Sequence, residues 1–184
     1  MACFGFVLQQ GVGVPCEPGC SLTRLLQDQL GIDPDYIDAR IKTAFLDGKP
    51  VDDYDSAIVK DQTTLALSAA MPGLVGATFR SGGILSVFRS GISFQNTDEV
   101  VKKETRGKIT LKLFNLLVKE MGQGLLEKGI LIDMKTLEDA VKKINGPAAF
   151  KKIMTNGETI TPEQFETMLT KNRTDNINLR IFCK

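Results

Sequence analysis

In the first thirty residues, a stretch of alternating apolar residues comes first and leucines at helical spacing come after it. This order restricts the fold more than any other feature of the chain. Apolar residues alternate through residues 4–8, and residues 12–14 repeat the alternation after Gly11, as in two half-buried strands joined by a turn. Ser21 then provides an N-cap for a helix that places its leucines on one face and ends near Leu30. A hairpin that leads into an amphipathic helix predicts a sheet with that helix packed across it.

Three further strands are predicted before residue 74. An apolar stretch at residues 41–46 precedes Asp47-Gly48, where the glycine suits the positive φ of a tight turn. Another strand begins near Val51, and leucines alternate in residues 63–69. The element order is strand, strand, helix, strand, strand, strand, which predicts an α+β fold.

Three short segments carry a resemblance to a known family: VPCEPGCSLTRLL, LDGKPVDD and VKDQTTLALSAAMPG. Through them, residues 3–73 resemble the β-grasp sulfur-carrier proteins of thiamin and molybdopterin synthesis, the ubiquitin-like carriers of bacteria. The resemblance implies a ubiquitin-like sheet covered by one helix. It also implies a partner protein that binds the sheet face or the tail.

The place of the family's C-terminal tail is where this chain departs from the resemblance. The carriers end in Gly-Gly because their terminal carboxylate is the group that is activated, whereas Pro72 and Gly73 stand at that position here and the chain continues. The resemblance therefore implies that carrier activity would require cleavage after Gly73, or after Gly83 further along, to expose a carboxylate.

The tetrapeptide Phe-Arg-Ser-Gly occurs twice, at residues 79–82 and 88–91, and a second glycine follows its first copy. One interpretation is an anion site, because guanidinium groups and the amides of a glycine-rich turn bind carboxylate or phosphate. Its residues would be Arg80, Ser81, Gly82, Gly83 and Arg89. Another interpretation is the cleavage site at Gly83. We favour a third, a hairpin or short strand pair, because glycine pairs mark turns more often than sites.

A polar and charged stretch at residues 96–107 predicts a linker between two domains. The predicted domains are residues 1–95, β-grasp-like with a glycine-rich extension, and residues 108–184, a smaller and mainly helical α+β domain. The elements predicted in the second domain are a helix at 109–121, a strand at 130–132, a helix at 134–144, a helix starting at Thr161 and a final strand at 176–183. This second half shows no family resemblance.

Composition narrows the function classes. The chain has no histidine, which excludes Ser-His-Asp and Cys-His catalysis, and we name no catalytic residue, metal or cofactor. We expect a buried thiol at Cys20 and an exposed loop thiol at Cys16. The net charge of +1 weighs against nucleic acid as a partner. The longest apolar run, residues 65–79, is too short for a membrane span, and no secretory signal is evident, so we expect a cytoplasmic protein.

Three function classes remain. The first is a protein-interaction or scaffold module that uses the β-grasp sheet face or tail. The second is a carrier released by cleavage, and the third is an anion or small-molecule binder at Arg80 and Arg89. We favour the first class because the sequence contains neither a free diglycine end nor a catalytic constellation.

Overall fold

The computed structural model describes residues 4–89, 91–96, 106–144, 146–171 and 176–182. They form an α+β fold around a mixed sheet, as predicted. The helices are α1 (Gly5–Gln10), α2 (Leu22–Arg24, continued by a π-helical turn at Leu25–Gln29), α3 (Pro34–Arg40), α4 (Gly73–Phe79), α5 (Leu116–Lys128), α6 (Met134–Lys143) and α7 (Pro162–Lys171), with 3₁₀ helices at Ile84–Arg89 and Pro147–Ala149.

The main sheet has seven strands in the order β11-β8-β1-β7-β6-β3-β4. The strand bounds are β1 (Val12–Cys16), β2 (Cys20–Ser21), β3 (Thr43–Leu46), β4 (Lys49–Pro50), β5 (Ile58–Val59), β6 (Thr64–Ser68), β7 (Gly107–Phe114), β8 (Ile130–Asp133), β9 (Ile153–Thr155), β10 (Glu158–Ile160) and β11 (Asn176–Leu179). The pairs β2-β5 and β9-β10 form small separate sheets. Strands from both sides of the predicted linker at 96–107 therefore share one sheet.

The partner of β1 differs from the one expected. Val12 and Val14 pair with Leu111 and Ile109 of the antiparallel strand β7, not with residues 4–8. Residues 4–8 lie instead in and just before α1, so the prediction of an N-terminal hairpin is wrong. The apolar residues of this stretch also satisfy the i, i+3, i+4 spacing of a helix. Phe4, Val7 and Leu8 are the ones that are buried.

Two close contacts explain why α1 ends at Gly11 and packs where it does. Gly11 has φ of +118°, and a Cβ there would lie 2.8 Å from the Thr110 side chain of β7. Leu8 packs against Gly122 of α5, where a Cβ would lie 2.8 Å from the leucine side chain. The chain therefore reverses from α1 into β1 directly over β7, at a position that only glycine occupies without strain.

The predicted helix at 109–121 divides into a strand and a helix. Ile109, Leu111 and Leu113 are buried in β7, and α5 begins only after Asn115, which has a positive φ of 55°. The apolar residues of this stretch fit the period of a strand and that of a helix. Strand pairing decides between them, because β7 is hydrogen-bonded to antiparallel β1 on one side and to parallel β6 on the other. The helix prediction is wrong for the strand residues and confirmed from Leu116 onward.

Most of the other predicted elements are confirmed. The Ser21 hydroxyl accepts the Arg24 N–H at 3.3 Å at the start of α2, and Asp47-Gly48 turns between β3 and β4 with positive φ at both residues. At the start of α7 the Thr161 hydroxyl accepts the Gln164 N–H at 3.2 Å, while the Gln164 side chain accepts the Thr161 N–H at 2.9 Å. This reciprocal pair is a capping box at the helix start that was predicted at Thr161. The strands β3, β6 and β8 and the helix α6 also lie where they were predicted. The final strand is shorter than the predicted 176–183, since β11 ends at Leu179 and Cys183 lies outside the described residues. The prediction of a strand that begins near Val51 is wrong, because β4 ends at Pro50.

Aromatic contacts join the two ends of the chain through the core. The Phe4 ring lies 6.3 Å from the Phe150 ring, and Phe150 lies 6.3 Å from Phe165 of α7 in an edge-on arrangement. Such tilted and edge-on pairs stabilise beyond the area that they bury. The first described residue is therefore packed against the C-terminal part of the fold.

A polar cluster on the surface ties α3 to α5. The Glu120 carboxylate accepts the Tyr36 hydroxyl at 2.7 Å, the Arg40 Nε–H at 3.0 Å and a further hydrogen bond from Arg40 Nη2. These bonds connect residues about eighty positions apart, which lie on opposite sides of the predicted linker.

We expect Leu26→Ala to lower the free energy of unfolding by about 2–5 kcal/mol, the range for a leucine truncated in a packed core. Leu26 is fully buried. Leu74→Ala is the matched control because that leucine is exposed, and it should change the free energy by less than about 0.5 kcal/mol. Urea denaturation measures both, and equal effects in the two variants would contradict the packing described.

The Glu120 cluster predicts a pH dependence of stability. Hydrogen bonds from Arg40, then from Tyr36, hold the pKa of Glu120 below its ordinary value of 4.5. A carboxyl with a lowered pKa in the folded state stabilises the fold above its unfolded pKa, and this contribution is lost as the pH falls through the folded pKa. The difference in unfolding free energy between the parent and Glu120→Gln should therefore be present at neutral pH and shrink below pH 4.5.

The control for this measurement is Glu166→Gln, which alters an exposed glutamate of α7. Urea denaturation across the acid range should show no comparable pH-dependent difference for the control. A parent-to-Glu120→Gln difference that stays constant down to about pH 3 would contradict the linkage.

Candidate functional site

The segment after β6 folds back over the edge of the sheet. Pro72 precedes α4, and Gly73, its first residue, has φ of +76°. The prediction of a hairpin or strand pair here is wrong, because α4 is followed by a turn and the 3₁₀ helix Ile84–Arg89. A Cβ at Gly76 would lie 2.0 Å from the Met71 carbonyl oxygen, so glycine allows α4 to turn back this tightly. We call residues 73–96 the edge segment.

Arg89 is the anchor of the edge segment. Its guanidinium is buried, and the residue retains 3% of its exposed area. Its Nη1 and Nη2 donate to the two carboxylate oxygens of Asp52 at 2.9 and 2.6 Å, a bidentate pair. The remaining N–H groups bond to the Thr78 carbonyl at 2.6 Å, the Ser93 hydroxyl at 2.9 Å and the Arg80 carbonyl at 3.3 Å. All five donors of this arginine are therefore satisfied within the protein.

Asp52 occupies the place where the sequence suggested an external anion. Besides the two bonds from Arg89, its carboxylate accepts the Gly82 N–H at 3.2 Å and the Ser93 hydroxyl at 3.2 Å. An arginine fork and a glycine amide do converge on a carboxylate, as the anion interpretation of the sequence required. That carboxylate belongs to the chain itself, just after β4.

The other predicted anion-binding groups also have partners within the fold. The Ser81 N–H donates to the Lys42 carbonyl at 2.9 Å, and its hydroxyl donates to the Val51 carbonyl at 2.8 Å and lies 3.2 Å from the Tyr54 hydroxyl. The Gly83 N–H donates to the Arg80 carbonyl at 3.1 Å. The Arg80 side chain points to the exposed surface, and it forms no ion pair with the residues that the structure describes. The two arginines therefore have different roles: Arg89 is buried in an ion pair with Asp52, and Arg80 is exposed.

Six large hydrophobic side chains of the edge segment are exposed. Between 55% of the residue area at Ile92 and 93% at Ile84 is exposed. The exposed residues are Leu74, Val75, Ile84, Val87, Phe88 and Ile92, and we call them the apolar face. Sequence reasoning concentrated on the arginines and missed this set. The available signal was that residues 73–96 contain these apolar side chains and two arginines but no aspartate or glutamate.

The cysteines do not form a reactive centre in the described part of the chain. Cys16 and Cys20 are free thiols, and both are buried, so the expectation of an exposed thiol at Cys16 is wrong. Burial is the main cause that raises the pKa of Cys16 to about 11, and Cys20 adds to it. An open cleft of about 700 Å³ borders Cys16, with Arg24 and Arg106 among its lining residues. A thiol with this pKa stays protonated at neutral pH and is a poor nucleophile and metal ligand.

Two further findings concern metal and membrane. Among the described residues, no group of three or more Cys, Asp or Glu side chains could hold a metal ion, and Cys3 and Cys183 lie outside those residues. None of the described helices combines the length and apolar character needed to cross a bilayer.

No protein-family model, curated protein or solved structure matches this chain. The proposed function therefore rests on the fold and on the local geometry of the edge segment.

We expect Asp52→Ala to release the edge segment. The substitution leaves the buried Arg89 cation without its carboxylate, at a cost of about 3 kcal/mol, near the lower end for a buried pair because the Asp52 side chain is 35% exposed. Trypsin should then cut after Arg89 about a hundredfold faster than in the parent. Cleavage after Lys171, an exposed residue at the end of α7 and outside the edge segment, gives an internal reference.

Added formate should slow the new cleavage, because the variant has an empty arginine fork into which a small carboxylate fits. Asp38→Ala removes an exposed carboxylate of α3 and should leave the tryptic pattern of the parent unchanged. Equal resistance at Arg89 in the parent and Asp52→Ala would show that the ion pair does not hold the segment.

Proposed function

We propose that this chain is a protein-interaction module that docks a partner protein on the apolar face of its edge segment. The observation that carries the proposal is the exposure of six large hydrophobic side chains within nineteen residues, Leu74 to Ile92. Soluble proteins seldom expose contiguous apolar patches beyond a few hundred Å², and larger patches mark interaction sites.

The polar contacts beneath the apolar face support a preformed docking surface. Asp52 and Arg89 fix the middle of the edge segment, and the Phe94 N–H donates to the Pro50 carbonyl at 2.8 Å near its end. Asn96 bonds to both the Ser56 carbonyl and the Ile58 N–H. A surface that is ordered before binding loses less conformational entropy when a partner docks.

Charge near the apolar face favours a protein over a membrane as its partner. Asp53 and Asp55 are exposed and flank Tyr54, whose hydroxyl contacts Ser81 of the edge segment. These carboxylates would repel the anionic headgroups that attract membrane-surface proteins. Arg80 is the single exposed cation among the described residues of the segment.

The proposal includes a relationship to the β-grasp sulfur carriers. From Val12 to Ser68 the elements run β1, β2, α2, α3, β3, β4, β5 and β6, so a helix after Ser21 is followed by further strands as the resemblance implies, whereas α1 stands in place of its first strand. The edge segment begins where the carriers have their tail, so docking through it parallels the use of a tail by that family. We expect the module to act in the cytoplasm, where its free thiols Cys16 and Cys20 would stay reduced.

The two alternatives have weaker support. Cleavage after Gly73 or Gly83 would yield an N-terminal piece without β7, the strand that lies between β1 and β6 in the sheet. Such a piece would lack part of its own core, which a freely diffusing carrier needs. An anion binder at Arg80 and Arg89 would have to displace Asp52 from the guanidinium that it already occupies.

The test is site-specific photocrosslinking in the cells that make the protein. A photoreactive phenylalanine analogue in place of Phe88, which is 80% exposed, should form covalent adducts with a partner protein. The same analogue in place of Lys119, an exposed residue of α5, is the matched control. Adducts at least tenfold more abundant at position 88 than at position 119 are expected if the apolar face is the docking surface.

The adducts should fall when Val87→Asp is added to the position-88 variant, because a carboxylate in the apolar face must be desolvated on docking. Equal adduct yields at the two positions, or no effect of Val87→Asp, would sink the proposal. A thermal melt of each variant verifies that the fold is intact before the yields are compared.

A further inference from the structure

We infer that the partner on the apolar face is a second copy of this chain, in an arrangement with twofold symmetry. The inference rests on the proposed function, and it names the occupant of the same surface. Two features of the described residues carry it: the amount and placement of exposed apolar area, and a set of charges that complements itself.

The apolar face is of a size that suits a dimer. Ile84 and Val87 are three residues apart in a 3₁₀ helix, so their side chains lie on one ridge, and Phe88 is adjacent to it. Each of the six side chains of the face is more than half exposed. A standard interface buries about 800 Å² per partner, and apolar side chains of this size supply several hundred Å² of that area.

The charges beside the apolar face complement each other across a twofold axis. Arg80 is exposed, and the residue that follows it, Ser81, contacts the Tyr54 hydroxyl at 3.2 Å. Tyr54 lies between the exposed carboxylates of Asp53 and Asp55. A twofold interface brings a patch against the same patch, so an axis that passes between Arg80 and Asp55 pairs each arginine with the partner's carboxylate, twice.

This complementarity distinguishes a second copy from other occupants. The edge segment contains no acidic residue, so an unrelated partner would have to provide the carboxylate for Arg80 and a cation for Asp55. A second copy provides both with no further requirement. The Asp52–Arg89 pair neutralises the other arginine and keeps it away from the surface, so it adds no repulsion between the two copies.

The experiment is sedimentation equilibrium of the purified full-length chain from about 1 to 200 µM, a range that covers micromolar association. The parent should dimerise. Phe88→Asp should weaken the dimer by at least tenfold, and Met154→Asp, which alters a half-exposed apolar residue on the separate β9-β10 hairpin, should leave it unchanged. A thermal melt verifies that each variant is folded.

A charge exchange tests the register. Arg80→Glu alone and Asp55→Arg alone should each weaken the dimer severalfold, and the double variant should restore it, because the pairs then form with reversed sign. Raising the salt concentration should reduce these differences. Restoration in the double variant is an effect that loss of apolar area would not produce.

A parent that stays monomeric across the whole range overturns the inference. A dimer that is lost with Met154→Asp but kept with Phe88→Asp also overturns it, because the interface would then lie elsewhere. A monomer that co-sediments with vesicles of phosphatidylcholine and phosphatidylserine overturns it in favour of a lipid surface. In each case, position-88 adducts with a different protein would still uphold the proposed docking function.

Discussion

The pairing of β7 is the constraint on which the rest of the fold depends. This strand lies between antiparallel β1 and parallel β6, so it closes a gap between two groups of strands that are distant from it in the chain. Its residues Ile109, Leu111 and Leu113 are buried in the common core. Without it, β1 and β6 would each leave a row of unpaired backbone groups in the middle of the sheet, which is costly when buried. Both halves of the chain are therefore needed for one sheet.

The Asp52–Arg89 ion pair is the main constraint at the edge of the sheet. Asp52 follows the short strand β4, and its carboxylate collects donors from Arg89, Gly82 and Ser93. The pair lies beneath the edge segment, where desolvation is costly unless the hydrogen bonds are complete, and here they are. Because the polar groups face inward to this carboxylate, the apolar side chains of the segment face outward. The surface that we propose for docking is the consequence of that inward arrangement.

Several parts of the fold followed directly from local patterns. The helix after Ser21, the turn at Asp47-Gly48 and the helix start at Thr161 depend on residues a few positions apart, and all three are confirmed. The errors arose where one apolar pattern fits two periods. Residues 4–8 fit a strand and a helix equally, and so do residues 109–114, and in each case the choice depended on a partner far away in the chain. For the candidate site, the sequence drew attention to Arg80 and Arg89, but it suggested an external anion and favoured a hairpin, whereas Arg89 binds Asp52 of the chain itself and the segment is helical.

What the sequence determined by itself was the α+β class, the cap and turn positions and the absence of histidine chemistry, because these depend on composition and on near neighbours. Only the tertiary structure decided which strand pairs with β1, that Asp52 is the anion held by Arg89, and that the edge segment presents its apolar side to solvent. Each of these depends on contacts between residues that are distant in the chain. The free energy of such contacts is set by packing and desolvation in the assembled fold, and the local sequence carries no record of it.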